Sequence, residues 1–352
     1  MSTPVNDMKY RFLGNTGLLV SRFSYGWFMI KERAPTVEQA YAIMERAFQY
    51  GVNFVDTAEC YVDGESEVVL GQVVNKGIER GVWTRDDLVI STKIFFGTKY
   101  FSSGMQAGLN NMGLSRKHIV EGTKASLKRL GLDYVDLIFC HRPDPATPME
   151  ETVRAMTHVI EQGWAFYWGT SEWSAHDIRE ACEVADRLGL IRPCQYNIFE
   201  RSRVEFEFAD LYKKYGYGLT TFSPLGGGIL TGKYAQGIPE GSRLDHAYYK
   251  NVTDIIAQKA TKAVRIEAIA NDLGCTLPQL ALAWCAANSN VSTVLFSATS
   301  VEQLDENMKA VAVVDKITPE IKAKIDAIVQ FQPHVLPRYM AQVMGLRGIY
   351  MD

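Results

Sequence analysis

The sequence predicts an α/β fold, a single (β/α)8 TIM barrel with an N-terminal β-hairpin and a C-terminal extension. Eight short apolar runs alternate with amphipathic helical segments, and eight parallel strands are the number that closes such a barrel. The runs are nearly continuous in apolar residues, as expected of strands that are buried on both faces. One barrel with extensions accounts for the length, so we expect a single domain over residues 1–352.

The composition is that of a water-soluble globular protein with an ample core, because 47% of the residues are hydrophobic and 22% are charged. The net charge of -3 is spread along the chain, which gives no reason to expect a nucleic-acid partner. No stretch approaches the roughly 18 apolar residues of a membrane span, and no secretory signal is present. We therefore expect a cytoplasmic protein without membrane insertion.

The chain begins with a hairpin pattern at about residues 9–20. Tyr10–Leu13 and Leu18–Ser21 alternate in polarity around a turn that contains two glycines and an asparagine. We expect this hairpin to plug the bottom of the barrel. The C-terminal tail is predicted to begin at about residue 332.

A strand-helix unit then recurs along the chain. The predicted barrel strands are 23–26, 52–55, 88–92, 134–140, 165–169, 193–196, 218–222 and 291–296. The predicted helices are 36–50, 65–76, 115–130, 149–162, 174–188, 204–215, 259–273 and 301–311. Two long connections, 95–114 and 226–254, follow strand ends, and long loops in compact domains are usually functional. We expect the first to form a wall of the substrate site and the second to clasp a cofactor.

Four polar residues each follow the end of a predicted strand: Asp56, Tyr61, Lys93 and His141. In a parallel barrel those ends share one face, which carries the chemistry. A phenol has an ordinary pKa of about 10 and needs a nearby cation to give up its proton easily. We therefore predict that Lys93, held by Asp56, lowers the pKa of Tyr61, and that Tyr61 protonates a carbonyl oxygen which His141 polarises. Since none of these groups attacks covalently, hydride must come from a bound nicotinamide.

These four residues resemble the catalytic tetrad of the aldo-keto reductases, and the surrounding sequence resembles one branch of that family, the β-subunits of voltage-gated potassium channels. The similar strings extend over nearly the whole chain in the same order. They are Met8–Arg11, Asp56–Glu59, Leu114–Ile119, Thr147–Ile160 and Glu302–Leu304. The resemblance implies a barrel that reduces carbonyl compounds, binds NADP(H), and assembles as a tetramer with a potassium channel α-subunit as a possible partner.

The resemblance also implies that the dinucleotide stretches across the barrel mouth. It assigns Ser171 and Gln195 to the carboxamide, Phe222, Ser223, Pro224, Leu225, Gly226 and Gly228 to the pyrophosphate, Lys233 and Arg243 to the adenosine 2′-phosphate, Gln303, Glu306 and Asn307 to the adenine end, and Gly26, Trp27, Asp56, Ser297 and Thr299 to further contacts. The two cations favour NADPH over NADH, because arginine forms strong paired contacts with a phosphate.

The aromatic residues Trp27, Tyr61, Phe95, Phe96 and Trp173 indicate an apolar mouth, where His141 is also expected to contact the substrate. Such a mouth is predicted to accept aromatic or medium-length aldehydes. The alternative is that the same aromatic residues only pack the rim. Three positions depart from the branch. Trp27 stands where a small threonine is usual, Ser297 replaces a glycine, and Glu172 replaces an arginine of the animal channel subunits.

Other nucleotide and metal sites are not predicted. No Gly-x-Gly-x-x-Gly motif opens a βαβ unit, and the partial phosphate loop at Gly227–Lys233 is followed by Tyr234 where a magnesium-binding Ser or Thr is required. The six cysteines have no paired spacing, so we expect neither a zinc site nor disulfides.

Three functions therefore remain open from the sequence. The first is an NADPH-dependent reductase of aldehydes and ketones. The second is a cytosolic channel subunit in which bound nucleotide senses redox state, and the third is a structural or regulatory barrel without turnover. Because few residues precede Tyr10, we expect any effect on a channel to be on its trafficking or gating, without rapid pore block by an N-terminal segment.

Overall fold

A computed structural model describes residues 7–28, 35–99, 109–184, 190–245 and 251–334. Its strands are β1 (Tyr10–Phe12), β2 (Leu19–Ser21), β3 (Phe23–Gly26), β4 (Phe54–Asp56), β5 (Val89–Ile94), β6 (Val135–Cys140), β7 (Ala165–Thr170), β8 (Leu190–Gln195), β9 (Leu219–Phe222) and β10 (Val291–Phe296). Strands β3 to β10 form a closed barrel in chain order, with β10 beside β3. All neighbouring pairs in the barrel are parallel. The predicted (β/α)8 barrel is confirmed.

The helices are α1 (Val37–Gln49), α2 (Glu65–Glu79), α3 (Arg116–Leu130), α4 (Met149–Glu161), α5 (Ala175–Val184), α6 (Ala209–Tyr215), α7 (Thr253–Asp272), α8 (Leu277–Ala286), α9 (Val301–Met308) and α10 (Pro319–Val329). Capping residues that are visible in the sequence mark where two of these helices begin. Thr36 and Gln39 form a capping box at α1, and the Ser115 side chain accepts the His118 N–H at the start of α3. None of the helices within the described ranges is both long and apolar enough to cross a membrane.

Several predicted boundaries differ from the structure. Helix α8 was not predicted because it is apolar on every side and nearly all of it is buried, so it lacks an amphipathic period. The segment predicted as one helix over 204–215 is a π-helical turn, Ser202–Glu207, followed by α6. Helix α7 begins six residues before the predicted start at residue 259. Parts of the predicted helix 174–188, of both long connections and of the C-terminal tail lie outside the described residues.

The N-terminal hairpin, β1 and β2, closes the end of the barrel where the strands begin. Leu13 and Val20 are fully buried and form a small apolar cluster with Phe54, Val89 and Leu137 from inside the barrel. The predicted hairpin is therefore present, and it fills the bottom of the barrel with apolar side chains.

Two glycines allow the hairpin turn to approach the barrel closely. Gly14 has a φ of +57°, and a Cβ built on it would lie 2.4 Å from the backbone nitrogen of Gly218. A Cβ built on Gly218 would in turn lie 2.1 Å from the nitrogen of Gly14. Real Cβ atoms do not approach backbone this closely, so both positions need glycine.

We predict that Gly218→Ala destabilises the fold, because the added methyl group forces the hairpin turn away from β9. The free energy of unfolding should fall by about 1–3 kcal/mol, as for overpacked sites. Urea unfolding measures this change. Gly17→Ala is the matched control, since a Cβ at Gly17 meets nothing within 4 Å; equal losses in both variants would contradict the close-approach argument.

Candidate active site

The C-terminal strand ends bring the four predicted catalytic residues together. Asp56 ends β4, Lys93 lies near the end of β5, and His141 directly follows β6. Tyr61 begins a short 3₁₀ turn before α2. Asp56, Lys93 and His141 are buried, and Tyr61 is half-buried.

A buried ion pair joins Lys93 to Asp56. The Lys93 Nζ donates to Asp56 Oδ2, and it donates to the Thr57 carbonyl oxygen at 2.6 Å. The Ser91 hydroxyl donates to Asp56 Oδ1, also at 2.6 Å. Burial lowers the pKa of Lys93, but the charges of Asp56 and Tyr61 and the hydrogen bond to Asp56 outweigh burial and leave that pKa above its ordinary value. Lys93 is therefore a cation at neutral pH.

Tyr61 lies beside this cation. The Lys93 Nζ is 5.0 Å from the centroid of the Tyr61 ring. Burial raises the pKa of the Tyr61 phenol, and the Lys93 charge opposes that rise without cancelling it. The phenol is thus fully protonated at neutral pH, which is the form that a general acid needs.

His141 faces Tyr61 across the mouth. Their ring centroids are 5.9 Å apart at an interplanar angle of 78°. Burial, and then the charges of Arg142 and Lys93, hold the pKa of His141 well below its ordinary value. The imidazole is therefore neutral and carries one N–H donor and one acceptor nitrogen.

Backbone strain in the described residues concentrates at the same mouth. Five non-glycine residues have a positive φ, and four of them follow barrel strands: Val62, Asp63, Glu172 and Ser223. Val62 is β-branched and has a φ of +50° directly after Tyr61. Such conformations cost about 1–3 kcal/mol each and tend to cluster at functional sites. This backbone evidence locates the same site independently of the tetrad.

The predicted pyrophosphate loop has a backbone suited to close approach by a ligand. Gly226, Gly227 and Gly228 all have positive φ values. A Cβ on Gly228 would lie 3.0 Å from the Lys233 side chain, and a Cβ on Gly227 would lie 3.5 Å from Leu244. Lys233 and the segment that holds Arg243 therefore flank the glycine run, and both cations are exposed. A dinucleotide phosphate fits a cation-flanked cradle of this kind.

The predicted adenine end holds one unsatisfied donor. Asn307 is 6% exposed, and its Nδ2 is buried without a hydrogen-bond partner. Gln303, Thr299 and Glu306 have protein partners. The Gln303 Oε1 accepts the N–H of Thr299 at 2.7 Å, and Glu306 forms an ion pair with Lys309. An adenine ring nitrogen would satisfy Asn307, so this end also fits the predicted dinucleotide.

The predicted carboxamide residues lie beside the tetrad. The Ser171 N–H donates to the Cys140 carbonyl at 2.8 Å, which places Ser171 next to His141. The Gln195 N–H donates to Glu172 Oε1 at 3.0 Å. Glu172, the departure noted above, also forms a buried ion pair with Arg203. Its charge is thereby compensated within the protein.

The remaining predicted contacts surround the end of β3 and the first residues of the clasp. The Ser297 hydroxyl donates to the Gly26 carbonyl at 2.5 Å, and the backbone N–H of Trp27 donates to the backbone carbonyl of Asp56 at 2.7 Å. Pro224 is buried, while Phe222 and Leu225 are half-buried. The first two contacts join Ser297 to the end of β3, and Trp27 to the strand that carries Asp56.

The start of the predicted substrate wall is anchored by Glu59. Its Oε1 accepts the N–H of Phe95 at 2.7 Å and of Gly97 at 2.9 Å, and it lies 3.1 Å from His118 Nε2. Burial opposes ionisation of Glu59, but His118 and the two amides outweigh it and hold the pKa below its usual range. Glu59 is therefore a carboxylate that fixes the base of the loop.

Among the predicted substrate residues, the aromatic side chains other than Tyr61 and Phe96 are deeply buried. Phe95 is 0% exposed, and Trp27 and Trp173 are 3% and 2% exposed. Phe96, which is half-buried, lies against His141 with ring centroids 5.1 Å apart. Phe96 thus contacts the tetrad, and the substrate roles of Phe95, Phe96, Trp27 and Trp173 stay predictions.

Four residues at the site were not predicted from the sequence. The Phe28 ring packs edge-on to Tyr61 at 4.9 Å, and Arg142 donates to the His141 carbonyl at 2.6 Å. Each is the second residue past the end of a barrel strand, so the rule that selected the tetrad would have found them. Ser91 shares the inward face of its strand with Lys93, at a spacing of two. Cys60, which contacts His141, carries no comparable signal.

Comparison with known proteins gives one consistent result. Residues 22–330 match the model described as "Aldo/keto reductase family". A protein of Arabidopsis thaliana named "Probable voltage-gated potassium channel subunit beta" is 50% identical over 333 residues, which cover 93% of this chain and 98% of that protein. A protein of Oryza sativa subsp. japonica with the same name is 49% identical over 333 residues, with the same coverage.

We predict that the buried ion pair stabilises the fold only as a pair. Lys93→Met leaves Asp56 as an uncompensated buried charge and should lower the free energy of unfolding by about 3–5 kcal/mol. The double variant Lys93→Met/Asp56→Asn should lose clearly less. Urea unfolding at pH 7 tests this prediction, because the raised pKa of Lys93 keeps the ion pair charged at that pH. The stabilisation from the pair is lost only when alkaline pH deprotonates Lys93. The single variant Asp56→Asn completes the comparison. If the loss of unfolding free energy in the double variant equals the sum of the losses in the two single variants, the two charges are not coupled.

Proposed function

The chain belongs to the aldo/keto reductase family, and from that premise we propose that it reduces aldehydes and ketones to alcohols with NADPH. The observation that carries this proposal is the position of Lys93. It lies between the Asp56 carboxylate and the Tyr61 ring, with a neutral His141 opposite. This arrangement suits an acid that protonates an oxygen as charge develops on it.

The roles of the protein groups follow from their charge states. Tyr61 keeps its proton until the carbonyl oxygen becomes basic, and then transfers that proton to the oxygen. Lys93 stabilises the phenolate that remains, because its charge is held close to the ring. His141 donates a hydrogen bond to the same oxygen without adding a charge. Solvent then returns a proton to Tyr61.

Bound NADPH would supply the hydride that reaches the carbonyl carbon. We propose that Lys233 and Arg243 select it over NADH by pairing with the 2′-phosphate. We further propose that Gly226 and Gly228 admit the pyrophosphate and that Asn307 donates to the adenine. The fit rests on the glycine backbone, the two flanking cations and the unsatisfied amide of Asn307.

A second candidate function follows from the printed names of the relatives. Both are named as channel β-subunits, so we also propose that this chain binds the cytosolic part of a potassium channel as a cytoplasmic tetramer. Pull-down with such a domain, together with sedimentation of the free protein, tests this reading. Tyr61→Phe should bind the channel domain as well as the wild type does, because a scaffold needs no proton donor.

We predict that Tyr61→Phe slows reduction of an aromatic aldehyde by at least about a hundredfold, the usual lower range of general acid catalysis. The ring is retained, so NADPH affinity should barely change. Steady-state kinetics and a fluorescence titration measure the two effects. Tyr134→Phe is the control, since Tyr134 precedes β6 at the opposite end of the barrel. A near wild-type kcat in Tyr61→Phe would show that another group is the acid.

We predict that Lys233→Ala/Arg243→Ala weakens NADPH binding by about 2–4 kcal/mol, because hydrogen bonds between charged groups contribute about 1.5–3 kcal/mol each. NADH has no 2′-phosphate, so its affinity should change much less. Fluorescence titration with each nucleotide measures both affinities. Lys117→Ala/Arg154→Ala removes two exposed helical cations elsewhere and serves as the control. Equal losses for both nucleotides would mean that Lys233 and Arg243 do not read the phosphate.

A further inference from the structure

A buried thiol contacts the predicted catalytic histidine. Cys60 Sγ lies 3.8 Å from His141 Nδ1, within the range of a sulfur hydrogen bond. Cys60 is 1% exposed and His141 is 6% exposed, so water does not compete at this contact. Cys60 also directly precedes Tyr61. The turn that positions the phenol therefore positions the thiol.

The direction of this hydrogen bond follows from the protonation states. Burial, and then the charge of Glu59, raise the pKa of the Cys60 thiol, so it stays an S–H group. The same burial keeps His141 neutral. An imidazole nitrogen accepts hydrogen bonds far better than a thiol sulfur does. Cys60 therefore donates and Nδ1 accepts, which places the ring proton on Nε2.

The other ring nitrogen is left for a ligand. Nε2 makes no hydrogen bond to any residue within the described parts of the chain. The ring itself is held by edge-on contacts with Tyr61 at 5.9 Å and Phe96 at 5.1 Å. With its orientation fixed, the tautomer decides whether Nε2 donates or accepts.

We propose that Cys60 is a positioning residue that holds His141 in the Nε2–H tautomer, so that the ring donates to a carbonyl oxygen instead of competing for the proton of Tyr61. A carbonyl oxygen can only accept, and the opposite tautomer would present it with a lone pair. The tautomer preference itself stands on the contact between the thiol and the ring and on the burial of both groups. Its effect on rate rests on the proposed reductase function.

The tautomer can be measured in the free protein. ¹⁵N NMR of histidine-labelled protein distinguishes the two ring nitrogens, and the signals that vanish in His141→Asn identify this ring among six histidines. We expect wild type to be in the Nε2–H form and Cys60→Ala to shift toward a mixture. Cys140→Ala removes a buried thiol of the main core directly before His141, and it should leave the signals unchanged. Identical ring shifts in Cys60→Ala and wild type would overturn the proposal.

A double-mutant cycle tests the effect on chemistry. In single-turnover oxidation of NADPH with 4-nitrobenzaldehyde, Cys60→Ala should slow hydride transfer by roughly three- to tenfold, the effect of one modest hydrogen bond. The nucleotide affinity should not change, and Cys60→Ser, which keeps a donor, should recover part of the rate. In a His141→Asn background, Cys60→Ala should have no further effect, because asparagine has no tautomers. A loss that persists in that background would show that the thiol only packs the core.

The NMR and the single-turnover measurements together distinguish a failure of the Cys60 role from a failure of the proposed reductase function. If wild type and His141→Asn oxidise NADPH equally slowly, the reductase proposal fails while the NMR result still decides the tautomer. If His141→Asn and Tyr61→Phe are slow but Cys60→Ala matches wild type in rate and spectrum, the reductase proposal stands and the role of Cys60 is refuted.

Discussion

The buried ion pair between Lys93 and Asp56 is the interaction on which the barrel mouth depends. Burying two charges is costly unless each is paired and hydrogen-bonded, and here Ser91 and the Thr57 carbonyl complete the set. The pair joins β4 to β5, and the Asp56 carbonyl also accepts the backbone N–H of Trp27, the residue that follows β3. A change in either charge would therefore disturb the ends of these neighbouring strands.

Burial shifts the pKa values of two neighbours of Lys93, and the charge of Lys93 acts on both. Burial makes the Tyr61 phenol a weaker acid, and Lys93 partly reverses this effect. Burial makes His141 a weaker base, and the charges of Arg142 and Lys93 strengthen that effect. The result is a protonated phenol beside a neutral imidazole over a wide range of pH. In the proposed reduction both groups would donate to the same oxygen, and only Tyr61 would lose its proton.

Much of this arrangement could be predicted from the sequence, because a parallel barrel turns strand order into spatial proximity. Asp56, Lys93 and His141 each follow an apolar run, and runs of that kind are visible without a structure. Helix α8 escaped prediction because periodicity carries no signal where every face is buried, although its capping box of Thr276 and Gln279 was present. The contact between Cys60 and His141 could not be predicted, since it joins two loops that are 81 residues apart and no spacing along the chain indicates it.

The anchoring by Glu59 of the loop predicted to be a substrate wall has a consequence for how this surface can vary. The loop leaves the barrel at Phe95 and returns at Gly113, whose N–H donates to the Phe95 carbonyl at 2.6 Å. Its two ends are thus already joined, whatever lies between them. Each doubling of loop length then adds only about 0.6 kcal/mol of closure entropy. Insertions and deletions between Gly97 and Gly113 can therefore remodel the rim while the hydrogen bonds of Glu59 at its base stay in place.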